Sequence, residues 1–166
     1  LDIYIIPKDF ATNYAVFATK YGAIDNCFKL KGEEKFHEVP DGIAHYLEHK
    51  MFDTEEGNAL QELAKNGAEP NAFTSNAITV YYFDSTEKFE ENLEILLRFV
   101  TTPYFTEDSV EKERGIIAQE IRMYEDVAGW RVLFNLLRAM YHNHPVNIEI
   151  AGTAESIAKI TDKTLY

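Results

Sequence analysis

Two imidazoles and a carboxylate fall within one short stretch, His45-Tyr46-Leu47-Glu48-His49. On a helix, residues four apart lie one above the other, so His45 and His49 share a face. Two imidazoles on one turn can both bind a single Zn²⁺ ion. Glu48 lies three residues after His45 and shares that side, where its carboxylate can address a water at the open coordination position. The order H-x-x-E-H reverses the H-E-x-x-H spacing of many zinc hydrolases. Metal-assisted hydrolysis is therefore the chemistry to test against the rest of the chain.

A catalytic zinc site uses three protein ligands plus water, so this segment lacks one. The candidates are His37 in a charged loop, His142 and His144 after a helix, and the carboxylates of the 111–125 stretch. That stretch is the better source. Glu113 and Glu120 are seven residues apart, two helical turns, and so share a face. Glu120 stands among Ile116, Ile117, Ala118 and Ile121, an expensive place for an unpaired charge. A metal would offset that cost. Glu113, in a more charged segment, could equally be a solvated residue pairing with Arg114 or Lys112.

The elements that must position these groups are legible from periodicity. Leu1 to Ile6, Asn13 to Lys20 and Ile24 to Leu30 are rich in β-branched and aromatic residues and read as strands. The breaks at Lys8-Asp9 and Tyr21-Gly22 fit hairpins, so an antiparallel start is expected. Pro40-Asp41-Gly42 precedes the histidine helix, with Asp41 as its cap. A helix runs from Asn58 to about Lys65 and stops at Asn66-Gly67. Residues 71–75 and Ala77 to Asp84 read as a strand pair or one bent strand, with Ile78, Val80 and Tyr82 on one face. Phe89, Leu93, Leu96, Leu97 and Val100 then make a helical apolar stripe, ended by Pro103. Further helices begin at Thr106-Glu107-Asp108, run from Trp130 to Tyr141, and span Ala154 to Ile160. The aromatic-rich Trp130–Tyr141 stretch reads as core. Strands first and helices afterwards indicate an α+β fold, with helices packed on one side of a mainly antiparallel sheet.

His45-x-x-Glu48-His49, followed about seventy residues on by Glu113-x6-Glu120, resembles the pitrilysin family of zinc metallopeptidases (inverzincins). That family includes insulin-degrading enzyme and the mitochondrial processing peptidase. The Gly42-Ile43-Ala44-His45 lead-in, the Glu48–Phe52 run-out and Asn71-Ala72-Phe73-Thr74 agree with it. The likeness spans Tyr14 to about Ile160 and is nearest to a bacterial processing-protease-like branch. It implies a truncated LuxS/processing-peptidase-like metallohydrolase unit, a single zinc-peptidase catalytic domain over residues 1–166. It implies Zn²⁺ on His45, His49 and Glu120, with Glu48 as general base for the attacking water. Glu113 would join the catalytic group from outside the ligand set. Asn71, Ala72 and Phe73 would line the edge where a substrate strand pairs, a role resting on the resemblance alone, since Asn71 after Pro70 also reads as a turn residue.

The expected activity is a zinc endopeptidase cleaving extended peptides; the alternative is a non-catalytic or structural paralogue that keeps fold and metal site. The presence of all three ligand positions and the base favours the enzyme. Family members resemble clamshells of several homologous units. The implied partners are therefore a peptide or small-protein substrate and the rest of the same polypeptide, or a homologous subunit, closing over it. An exposed sheet edge also makes a dimer an expectation, and an isolated unit is expected to cleave poorly.

Composition sets outer bounds. A length of 166 residues with 46% apolar content suits one domain with a sizeable core. No apolar run is long enough for a membrane-spanning helix, and a net charge of −12 argues against nucleic acid. One cysteine, Cys27, excludes an internal disulfide and a cysteine-rich zinc site, and reads as a buried strand thiol. No targeting segment is visible, so a cytoplasmic place is expected, although the start at Leu1 suggests an excised piece of a longer chain.

Overall fold

The computed structural model describes residues 1–166. A three-stranded antiparallel sheet organises the molecule, built from β1 (Asn13–Thr19), β6 (Glu69–Thr74) and β7 (Thr79–Ser85) in the order β1-β7-β6. Its register aligns Phe17, Tyr81 and Ala72 across the three strands. Two-residue ribbons flank it: β2 (Cys27–Phe28) with β3 (His37–Glu38), and β4 (Asp53–Thr54) with β5 (Gly57–Asn58). The helices are α1 (Ile43–Lys50), α2 (Ala59–Lys65), α3 (Phe89–Thr101), α4 (Glu107–Glu125), α5 (Ala128–Met140), α6 (Ala154–Ile157) and α7 (Asp162–Leu165), with a 3₁₀ turn at Pro145–Asn147. No helix is long and apolar enough to cross a membrane.

Alternation along the strands separates two faces. Ala15, Tyr81 and Phe83 are buried against the helices, while Tyr14, Val16 and Phe73 stand exposed on the opposite face. The core thus lies between one face of the sheet and the helical layer, with Tyr46, Phe52, Phe99, Ile117, Ile157 and Ile160 at its centre. Phe52, Tyr81 and Phe99 pack ring against ring at 5.1–5.6 Å, a separation at which tilted and edge-on aromatic pairs are favourable. Local chemistry sets several boundaries. Asn58 caps α2 by accepting from Leu60 N–H at 3.0 Å. Thr106 and Ser109 form a reciprocal capping box at the start of α4.

The structure corrects parts of the expected layout. Residues Leu1 to Ile6 form no strand: their side chains are largely exposed and no ladder in the sheet includes them. Strand composition alone supplies no partner. The Ile24–Leu30 stretch is strand only at Cys27–Phe28 and pairs with β3, while β1 takes β7 as its neighbour instead of a hairpin partner. Cys27 is exposed because its ribbon lies off the core. Ile78, Val80 and Tyr82 share one side of the 77–84 segment as expected, and the helix-facing side of β7 carries Thr79, Tyr81, Phe83 and Ser85. In α3 the expected Phe89, Leu93, Leu96 and Val100 do face the core, joined by Asn92, Ile95 and Phe99, and only Leu97 of the stripe points outward. In α5 only Phe134 is buried, leaving Val132, Leu133, Leu136 and Met140 exposed. The last expected helix is shorter, ending at Ile157.

The entrance to α1 departs most from expectation. Asp41 does not cap the helix; its carboxylate accepts from Asn26 Nδ2 at 2.9 Å. Gly42 holds the cap position in the left-handed region, with φ 87°. A Cβ on Gly42 would lie 2.3 Å from the Ala151 carbonyl oxygen, and one on Gly152 would lie 2.5 Å from that of Asp41. The two backbones therefore touch, and Ser156 Oγ donates to Asp41 C=O at 2.8 Å beside them. This crossing ties the start of the histidine helix to the 149–153 segment. Gly42→Ala is expected to lose more than about 2 kcal/mol from φ strain and the clash together. Urea denaturation checks this, and a midpoint unchanged from wild type would contradict the close crossing.

Candidate metal centre

α1 and α4 pack in opposite directions, and their contacts place the expected residues together. His45 faces Glu120, His49 faces both Glu120 and Glu113, and Lys50 reaches Ser109 in the first turn of α4. The two imidazoles lie one turn apart, tilted to one another, with ring centroids at 4.6 Å. Their Nε2 atoms approach opposite oxygens of the Glu120 carboxylate, His45 at 3.6 Å and His49 at 3.5 Å. These separations are too long for hydrogen bonds, which lie near 2.7–3.2 Å. Each is close to the separation of two donors that share one ion at about 2.0–2.1 Å. One ligand atom from each of His45, His49 and Glu120 lies within 4.8 Å of the others.

The donor set fits zinc. Two imidazole nitrogens and one carboxylate form a ligand set used by catalytic zinc sites. His45 is 8% exposed, and its Nδ1 has no hydrogen-bond partner. Its Nε2, beyond hydrogen-bond reach of Glu120, faces the space between the donors, where an ion would meet it. Glu113 Oε1 sits 2.9 Å from His49 Nδ1. That contact holds the proton on Nδ1 and leaves the Nε2 lone pair facing Glu120, the usual device for orienting a metal-binding histidine. Arg114, the alternative partner read from the sequence, pairs with Glu111 instead.

Charges follow this geometry. Burial pulls the His49 imidazole down, but the Glu113 hydrogen bond and the charges of Glu48, Glu113 and Glu120 outweigh it and leave its pKa raised. The His49 hydrogen bond holds Glu113 below the ordinary carboxylate value against the opposing effect of burial. Pairing with His45, then the charge of His49, lowers Glu120 despite its burial. Burial and the Glu120 charge push the Tyr124 hydroxyl up.

Glu48 is 8% exposed and accepts a hydrogen bond from Thr74 Oγ1 at 2.9 Å. Thr74 ends β6, so the edge strand and the carboxylate are held as one unit. A cavity of about 360 Å³ opens over the cluster. Asn71, Ala72, Phe73 and Thr74 form one wall, His45, Glu48, His49 and Glu120 the floor, and Ile121, Tyr124, Trp130 and residues 149–151 the other wall. β6 pairs only with β7, so its outer edge is open. All the expected site residues therefore meet at this cavity, with Glu113 behind His49. His37 pairs with Glu33 at 2.5 Å, and His144 Nδ1 accepts from Val146 N–H at 3.1 Å.

Several lining groups were not anticipated. Tyr124 follows Glu120 by one helical turn, so its spacing carried a signal. Its ring stacks on Trp130 at 5.1 Å. The Thr74–Glu48 bond and the Glu149–Ala151 wall depend on long-range packing, for which sequence spacing offers no signal.

Comparison with known proteins follows from this geometry. Residues 35–154 match the family described as insulinase (peptidase family M16). The uncharacterized zinc protease YmfH of Bacillus subtilis is 54% identical over 167 residues, covering 100% of this chain and 39% of its own length. The human mitochondrial-processing peptidase subunit beta is 34% identical over 140 residues, covering 81% of this chain and 28% of its own. The crystal structure of an M16-like peptidase from Alicyclobacillus acidocaldarius superposes with a TM-score of 0.88 at 48% identity, covering 93% of this chain and 36% of that one. The chain thus spans well under half the length of these relatives.

The His49–Glu113 pair gives the metal-free protein a characteristic pH dependence. Raised above its ordinary 6.5 in the fold, His49 contributes stability in full below that value and loses it as pH rises through the folded pKa. Glu113, lowered from its ordinary 4.5, contributes above that value and loses it as pH falls through the folded pKa. Both contributions are complete between about pH 4.5 and 6.5. In metal-free protein, the difference in urea midpoint between wild type and Glu113→Gln is expected to be largest in that window and to shrink on either side. A difference independent of pH would contradict the pairing.

Proposed function

The chain belongs to the insulinase family of peptidases, M16, and from that membership we propose that it is the catalytic unit of a zinc endopeptidase acting on extended peptides. One observation carries the proposal: His45, His49 and Glu120 converge at the floor of a cavity whose wall is the open edge of β6, with Glu48 held between them by Thr74. His45, His49 and Glu120 would hold the ion. Zinc bound there supplies a Lewis acid for the scissile carbonyl and makes water available as a nucleophile near neutral pH.

The chain's own groups do the rest. Glu48 accepts the proton of the attacking water and returns it to the departing amine, the role of a general base that becomes a general acid. The Thr74 hydroxyl fixes the Glu48 carboxylate, and so leaves its other oxygen to the water. Glu113 holds His49 in the tautomer that offers Nε2. Asn71, Ala72 and Phe73 on the edge of β6 align a substrate strand through main-chain hydrogen bonds, which bind firmly while demanding little of the substrate's sequence. Because the relatives are more than twice as long, the remainder of a longer polypeptide, or a homologous subunit, would close over the peptide and complete the site.

Hydrolysis of a quenched unstructured peptide by the complete protein tests this reading, with zinc content measured in parallel. Glu48→Gln is expected to keep zinc and lose at least about 10²-fold in kcat, the span of a general base. Chelation of wild type should abolish turnover, and added zinc should restore it. Full activity in Glu48→Gln would remove the general-base assignment. Stoichiometric zinc with no hydrolysis in wild type would favour the non-catalytic paralogue.

A further inference from the structure

α1 presents two rows of side chains to α4, and the proposed ligands occupy only one. His45 and His49 form the first row and meet the side chains of Glu120 and Glu113. Tyr46 and Lys50, each one residue further along, form the second and meet backbone. The Tyr46 hydroxyl donates to Val110 C=O, and Lys50 Nζ donates to Ser109 C=O at 3.3 Å. Tyr46 is fully buried and Lys50 is 1% exposed.

The buried lysine is the unusual part. An apolar residue of similar length would fill the same space without the several kcal/mol that desolvating an ammonium costs. Lys50 is paired with Asp53, whose other oxygen is 3.4 Å from Asn58 Nδ2, and Asn58 caps α2. The ammonium is thereby anchored to a fixed frame before it reaches α4. Its contact with Ser109 C=O, at 3.3 Å just past the usual hydrogen-bond range, is directional, which apolar packing is not. Ser109 also belongs to the capping box that starts α4. Lys50 and Tyr46 thus hold two consecutive carbonyls in the first turn of that helix.

We propose that Tyr46 and Lys50 are positioning residues that set the register of α4 against α1, and so bring Glu113 and Glu120 to His49 and His45. The inference rests on the metal-centre reading above. Register matters because the requirement is narrow. Metal ligands must sit within about 0.2 Å of their ideal distances, whereas one residue along a helix is about 1.5 Å. A slip of one turn would put Ile116 or Tyr124 where Glu120 stands and Ser109 or Ile117 where Glu113 stands. Neither slipped register offers a carboxylate at either place. Side-chain contacts in the first row tolerate small shifts, because glutamate is flexible. The second row grips backbone and does not.

The test measures affinity for zinc alone, and the absorption spectrum with Co²⁺ in its place, for wild type, Lys50→Met, Tyr46→Phe and a Leu96→Ala control. Leu96 is a core residue of α3, which packs on β1, β7 and α2, so its loss lowers stability without touching the register. Lys50→Met and Tyr46→Phe are each expected to weaken zinc binding about tenfold or more, the usual effect of removing a group that orients ligands. The Co²⁺ bands should shift in both, and the control should keep wild-type affinity and spectrum. Tyr46→Phe, which removes one oxygen, decides the matter where Lys50→Met does not fold. Wild-type affinity and spectrum in the folded variants would overturn the proposal, as would equal weakening in the control. Zinc binding that survives His49→Ala would overturn the metal centre itself, and the register inference with it.

Discussion

Everything functional in this chain depends on burying polar side chains along one short seam between α1 and α4. α1 has eight residues and begins at a left-handed glycine without a side-chain cap. A helix so short does not hold in water by propensity alone, and this one also buries His45, Glu48 and Lys50. Each buried polar group needs a partner or the seam does not close. Glu113 supplies a partner for His49, Thr74 for Glu48, and Asp53 with Ser109 for Lys50, while His45 faces Glu120 across the space an ion would fill. The contacts that hold α1 in place are thus the same contacts that shape the centre.

That coincidence explains the arrangement of the surrounding elements. The β6–β7 hairpin delivers Thr74 to Glu48 and leaves the outer edge of β6 open above the ligands. The crossing of Gly42 and Gly152 brings the 149–153 segment against the start of α1, so it forms the far wall of the cavity. Tyr124 and Trp130 extend that wall from the C-terminal end of α4 into α5. A peptide lying along β6 would therefore meet backbone on one side and a largely apolar surface on the other.

The clustering of the site residues was more legible in the sequence than the architecture. His45, Glu48 and His49 are local, and helical spacing alone puts them on one face. Glu120 stood out as a carboxylate amid isoleucines, and the structure sets it against the two α1 histidines. The helix limits at Asn58, Asn66-Gly67, Pro103 and Thr106 follow from capping and turn chemistry that acts within a few residues. Strand partners were less accessible. β1 pairs with β7 some sixty residues away, and no local pattern distinguishes that from a hairpin with its neighbour. Leu1–Ile6 has strand composition and no ladder, since composition reports preference and not a partner. Asp41 has the right type for a cap, yet Asn26 takes its carboxylate, a contact fifteen residues away. Lys50 carried no expectation of burial, which emerged only from packing.

X-ray absorption at the zinc edge of the zinc-loaded protein tests the centre most directly. The expected spectrum shows two imidazole nitrogens and carboxylate oxygen at about 2.0–2.1 Å, and His49→Ala retains no zinc to give one. A spectrum with oxygen ligands only, or imidazole scattering that persists after both His45 and His49 are replaced, would contradict it.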